Sequence, residues 1–231
     1  MIFKPYVPVA ERRRIAMREI EKRLRKGQAM SPVQIDGRVI AKTFWGKSWC
    51  ENLERYSDFA NRLPRGRTYV RNGSVVDLQI TSGEIRALVS GSALYKVTLT
   101  VSPVAKSRWK SICSDCAGAI DSLVELLQGK LSKGVMERIC QQNVGLFPSP
   151  AELKLLCSCP DAASMCKHIA AVLYGIGARF DEQPELLFRL RAVDEKELIA
   201  AAPSVKQKKP KSAKILSSDE NLSDIFGLDI E

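Results

Sequence analysis

The stretch Leu153-Lys154-Leu155-Leu156-Cys157-Ser158-Cys159-Pro160, resumed after five residues by Cys166-Lys167-His168-Ile169-Ala170-Ala171-Val172-Leu173-Tyr174-Gly175-Ile176-Gly177, gathers three of the chain's seven cysteines and its only histidine. Thiolates and imidazole are the side chains that hold a borderline-soft cation such as Zn2+. Leu153 and Leu155 alternate with their neighbours up to Cys157, which predicts a short strand. Residues i and i+2 of a strand share a side, so Cys157 and Cys159 are presented together. Two sulfurs at about 2.3 Å from a tetrahedral zinc lie only ~3.8 Å apart, closer than strand Cβ atoms at that spacing. The strand must therefore bend or bulge, and Pro160 suits the place where pairing ends.

Val172, Leu173 and Ile176 then mark one side of a helix whose first turn includes His168. Three thiolates and a neutral imidazole around Zn2+ carry a net charge of −1, which Lys167 is placed to offset. A four-ligand shell leaves no open position for water or substrate. The expectation is a structural site at Cys157, Cys159, Cys166 and His168, whose loss unfolds the local strand-turn-helix.

Working outward, 231 residues with 45% hydrophobic composition are enough for one large or two small units with a real core. The formal net charge of +10 points to a polyanionic partner, nucleic acid ahead of an anionic membrane surface. No apolar run approaches the ~18 residues of a membrane span, and MIFKPYVPVAERRR lacks the apolar core of a signal peptide, so a cytoplasmic protein is expected. Clustered cysteines in a reducing compartment are more often metal ligands than disulfides.

Toward the N-terminus, ERRRIAMREIEKRLRK over 11–26 reads as a helix in which Ile15, Ile20 and Leu24 form a thin apolar stripe. Between Lys4 and Lys26 nine basic residues, Arg12, Arg13 and Arg14 among them, face three acidic ones. This is either a solvated docked helix or an arm lying along phosphates. Gly27 to Gly37 reads as a linker. Trp45, Trp49, Leu53, Tyr56, Ala60 and Leu63 recur at helical spacing and predict a helix over 44–63 with an aromatic core face. Within it, Ala41-Lys42-Thr43-Phe44-Trp45-Gly46-Lys47-Ser48 falls short of a phosphate-binding loop. Ala41 replaces the first glycine, and Phe44 and Trp45 would fill the space the phosphates need.

Arg62, Arg65, Arg67 and Arg71 surround Tyr69 in a turn-rich passage that ends at Asn72-Gly73, a strong hairpin signal. A basic hairpin without a ligand and a strand-binding surface, with Arg on phosphate and Tyr69 stacked on a base, are both open readings. Segments 74–80, 84–89 and 94–101 predict an antiparallel meander. Trp109, Ile112, Cys116, Ile120, Leu123 and Leu127 predict a helix over 107–129 that covers it. Cys113 and Cys116 read as core residues of that helix rather than as a second ligand pair. A short helix over 132–142 follows, and the chain breaks at Gly145 to Pro150.

The spacing C-x-C, six residues, C-x-H resembles the SWIM zinc finger of SWI/SNF-type ATPases and Mutator-type transposases. FWGKSWCENLERYSDFANRLPRGRTYVRNGSV and LFRLRAVDEKELI are similar to bacterial SWIM zinc finger proteins. The resemblance implies DNA or protein binding and association with SWI/SNF-type helicases.

The expected fold is α+β, a helix-covered antiparallel sheet followed by a small zinc-bound strand-turn-helix. It divides into a basic N-terminal helix and linker (1–37), an α+β domain (38–145), the finger with its following helices (146–202), and a basic linker with an acidic-hydrophobic tail (203–231). Two short helices are expected after the finger, at 184–190 and 194–201, the second with a capping box of Asp194 and Glu197. The tail is either disordered or a peptide that docks into a basic groove. The expected function is non-enzymatic, zinc-dependent binding of nucleic acid, DNA favoured, through Arg12, Arg13, Arg14, Arg62, Arg65, Arg67, Tyr69, Arg71 and Lys167. The alternative is a protein-interaction adaptor that uses the finger and the tail.

Overall fold

The computed structural model describes residues 7–56, 62–161 and 163–200. The acidic tail and the basic linker before it lie outside them. The order of elements is α1 (Val9–Leu24), α2 (Phe44–Glu54), α3 (Leu63–Arg71), β1 (Val75–Thr81), β2 (Glu84–Ser90), β3 (Leu94–Val101), α4 (Lys106–Asp115), α5 (Leu123–Gln128), α6 (Lys133–Cys140), β4 (Leu153–Cys157), α7 (Lys167–Glu182), α8 (Glu185–Leu190) and α9 (Lys196–Ala200). The α+β class holds. The four strands pair antiparallel in the order β1-β2-β3-β4, so the strand expected to deliver the first ligands closes the same sheet as the meander.

The finger's helix organises the rest. Twelve residues of α7 are buried, from His168 to Phe180, and the helix packs on all four strands and on α2, α3 and α8. A helix apolar on every side suits such a place. Small residues let its neighbours approach closely. A Cβ added at Gly66 of α3 would lie 2.5 Å from the Ala170 Cβ, and one added at Gly177 would lie 2.6 Å from Cys50 Sγ on α2. The C-terminal turn of α7 also caps α2, because Asp181 accepts from the Lys42 and Thr43 amides and from the Thr43 hydroxyl. A carboxylate there meets the positive end of the α2 dipole. Trp45 and Trp49 are fully buried, and their indole N–H groups donate to the carbonyls of Leu126 at 2.9 Å and Leu173 at 2.8 Å, which removes the penalty of burying them.

Four sequence expectations are corrected. The helix expected over 44–63 ends at Glu54, and Leu63 starts α3; residues 57–61, Ala60 among them, lie outside the described residues. The basic passage around Tyr69 is helical, with Pro64 in its first turn, where a missing N–H does no harm. Asn72-Gly73 accordingly ends a helix instead of turning a hairpin: Asn72 has φ −87° and only Gly73 is left-handed. The helix expected over 107–129 is two, α4 and α5, separated by a turn in which Gly118 takes φ +69°. These helices do not cover the sheet; α4 packs on α6 and α9, and α7 takes the role assigned to them.

Some other readings hold and some shift. Cys113 and Cys116 are core residues. Ser132 caps α6 by accepting from the Val135 amide. The stretch read as a linker fringes the sheet, since Leu78 N–H donates to Ser31 O and Val33 N–H to Val75 O. Asp194 accepts from the Lys196 amide, while Glu197 leaves the capping box to accept the Trp109 indole proton at 2.7 Å. In α1 the buried positions are Arg12 and Ala16, and Leu24 is exposed.

Candidate metal centre

Register brings the ligands together. Cys157 is opposite Val97 on β3, and Leu155 opposite Leu99, so Cys157 points to the side of the sheet that carries the core. The bend required by the metal follows at once. Ser158 N–H still donates to Lys96 O, but Lys96 N–H is met by the Ser158 hydroxyl at 3.0 Å in place of a strand carbonyl. That side-chain substitute releases the Ser158–Pro160 backbone to curl and turn Cys159 inward. Cys166 is the N-cap of α7, and His168 lies in its first turn, above Cys157 because α7 packs on β3 and β4.

One ligand atom from each of Cys157, Cys159, Cys166 and His168 lies within 4.8 Å of every other. His168 presents Nδ1, at 3.9 Å from Cys157 Sγ and 3.8 Å from Cys166 Sγ. Such separations fit donors arranged around a tetrahedral cation. The electrostatics point the same way. A hydrogen bond from Cys157 holds Cys166 down to about 3, against the burial that opposes it. The hydrogen bond to Cys166, with burial, pushes Cys157 far up, and burial raises Cys159. Three thiols this close cannot all ionise by themselves, and a divalent cation removes the conflict.

Two tyrosines that the sequence reading placed elsewhere or omitted enclose the histidine. Tyr95 of β3 stacks on His168, centroids 4.2 Å apart and planes at 25°, with its hydroxyl 2.8 Å from Ser92 Oγ. Tyr69 of α3 meets the imidazole edge-on at 5.4 Å. The His168 Nε2 is buried without a partner among the described residues. It faces Gly91, where a Cβ would lie 3.2 Å away. No sequence pattern distinguishes Tyr95 from any strand aromatic; only the register reveals its position.

The basic candidates separate into two groups. Arg13 bonds the Asn72 carbonyl and side chain, Arg14 pairs with Glu11, Arg62 with Asp161, and Arg67 with Glu54 and the Tyr174 hydroxyl. Arg65 and Arg71 are exposed. Arg12, buried at 7% exposure, lays its guanidinium 4.5 Å from the Tyr69 ring centre, and Lys167 Nζ is 5.3 Å from the same centre. The structure thus brings Arg12, Tyr69 and Lys167 together beside the metal ligands.

Comparison with known proteins agrees with this geometry. Residues 143–175 match the family model of the SWIM zinc finger. Over 165 residues the chain is 35% identical to the uncharacterized protein Rv2102 of Mycobacterium tuberculosis, a match that covers 70% of this chain and 59% of that protein's length. No solved structure matches. With a Cys3His set at the spacing of that finger and inside the matched segment, residues 143–175 form a SWIM-type zinc finger whose four ligands are positioned to bind a metal ion, consistent with Zn2+.

Proposed function

We propose that the protein is a non-enzymatic binder of nucleic acid, DNA before RNA, in which zinc fixes a basic surface, and that it works in the cytoplasm beside a SWI/SNF-type helicase. The observation that carries this reading is the meeting of both arginine-rich helices at one tyrosine: α3 packs on α7, α1 packs on β1 and β2, and Arg12 and Lys167 share the ring of Tyr69. The net charge of +10 supplies long-range attraction to phosphate. Helicase association draws on the sequence resemblance alone. No helix of the described residues is long and apolar enough to cross a membrane. The non-enzymatic part of the reading is supported by the chain's only histidine lying among the metal-ligating group.

The zinc-loaded chain, titrated into fluorescent duplex and single-stranded oligonucleotides at low salt, tests this. Binding that weakens steeply as salt rises is expected. Absence of binding to either strand form at low salt overturns the reading.

A further inference from the structure

We propose that Arg12, Tyr69 and Lys167 form one oxyanion subsite, shaped for a phosphate group and set at the N-terminus of α7. It rests on the nucleic-acid reading above and narrows it to a place. Three elements contribute: Arg12 from α1, Tyr69 from α3 and Lys167 from the first position of α7.

The first argument is the state of Arg12. A guanidinium at 7% exposure is normally met by a carboxylate or by carbonyls. Among the described residues Arg12 has no ion pair. Its Nε is sealed from solvent without a partner among the described residues. Its other nitrogens make no hydrogen bond among the described residues, and 7% of the residue's surface remains exposed. The side chain lies over the face of Tyr69, with the guanidinium carbon 4.5 Å from the ring centre, a contact that limits its freedom without satisfying its donors.

The second argument is charge. Lys167 places a second cation 5.3 Å from the same ring centre and likewise has no carboxylate partner among the described residues. The zinc-loaded centre next to them carries −1. Two cations against one anionic centre leave one positive charge unbalanced at a helix N-terminus, whose dipole also favours an anion. The Tyr69 hydroxyl, with no partner among the described residues, adds a donor on the same ring. Arg for planar recognition, Lys as a point charge, a hydroxyl and a helix end together form a phosphate-binding set.

The shared chemistry, a phosphate oxyanion, has two sources, a nucleic-acid backbone and a small free phosphate. The test therefore uses the full zinc-loaded chain with two probes: a fluorescein-labelled duplex followed by anisotropy across a salt series, and inorganic pyrophosphate followed by titration calorimetry. Zinc content is measured for every variant. Arg12→Met and Lys167→Met are each expected to lower the slope of log affinity against log salt by about one. Each should also weaken pyrophosphate by about tenfold. Arg71→Met, at an exposed position, should lower the duplex slope and leave pyrophosphate unchanged.

A slope change without pyrophosphate binding by the wild type assigns the site to the polymer backbone. Pyrophosphate binding that is lost in the variants, with no duplex binding by the wild type, keeps the site and removes the nucleic-acid reading. Unchanged slope and unchanged pyrophosphate affinity in zinc-retaining variants overturn the site and leave that reading standing. A wild type that binds neither probe overturns both. Should Arg12→Met shed zinc, the half-buried Lys167 decides alone.

Discussion

His168 is gripped on every side: Nδ1 faces the sulfurs, Tyr95 covers one face, Tyr69 meets an edge, and Nε2 looks at the bare Cα of Gly91. Enclosure of this kind fixes ring orientation before the metal arrives, which favours binding. Gly91→Ala should therefore lower zinc affinity, because its methyl would lie 3.0 Å from the Tyr95 ring and 3.2 Å from Nε2. Competition with a chromophoric chelator measures this, and an unchanged affinity would show that the ring is not so constrained. The four ligands were legible because their chemistry is written in residue type and spacing. Tyr95 and the burial of Arg12 were not, since both depend on which elements meet. An arginine among arginines in a polar helix looks like every other until a tyrosine from α3 is placed beneath it.

Among elements, β4 has the most to hold in place, because it is an edge strand that must deliver a ligand. It is secured just before its start. Glu152 bonds Arg191 at 2.8 Å and Arg108 at 3.1 Å and accepts from the Ser149 amide at 3.0 Å, while Arg191 is fully buried. Burial pushes the Glu152 carboxyl up, but Arg191, the Ser149 amide and Arg108 together outweigh it and the group ends below its ordinary value. A carboxylate with a depressed folded pKa stabilises the fold above its unfolded value, about 4.5, and that stabilisation is lost as pH falls through the folded one. Glu152→Gln should cost about 3 kcal/mol at neutral pH and flatten the acid limb of the stability curve, read by denaturant unfolding at several pH values. Equal acid sensitivity of variant and wild type would remove this role. At the α3–α7 contact, Gly66→Ala should cost about 2 kcal/mol, since the added methyl would meet the Ala170 backbone at 2.7 Å and force the helices apart. Thermal unfolding checks it against an exposed Gly134→Ala control, which has open space around it.

At the scale of the whole molecule, the zinc site is the point where α7, the sheet and both basic helices meet, so metal loss should be felt beyond the finger. The cysteines report this. Burial, with nearby Glu54, Asp181 and Glu51, raises Cys50 to about 12 and, with Glu197 and Cys116, raises Cys113 to about 11; Cys116 and Cys140 are raised as well. With metal bound these four should react slowly with a thiol reagent near pH 8; a chelator should expose Cys166, the thiol held low, as a fast phase and speed the other four as the packing around α7 loosens. A fast phase of the same size without chelator would mean that the cluster holds no metal. The sheet was legible because its three hairpin strands are β-branched and close in sequence. The helix at 63–71 was not, because Pro64 and Gly66 are turn residues by local rule and are helical only through packing, while Asn72-Gly73 reads as a hairpin turn and instead ends the helix: Pro64 sits in a first turn, and Gly66 touches Ala170. The split between α4 and α5 was missed for a related reason, as apolar spacing continues across a turn that only Gly118 marks.

The central claim is that Cys157, Cys159, Cys166 and His168 hold a structural zinc on which the surrounding surface depends. Elemental analysis of the purified full chain, beside Cys159→Ser and His168→Ala, tests it most directly. About one zinc per wild-type chain, lost from both variants together with a large drop in melting temperature, is the predicted result. A wild type without zinc after reconstitution, or variants that keep both the metal and the melting temperature, would contradict it.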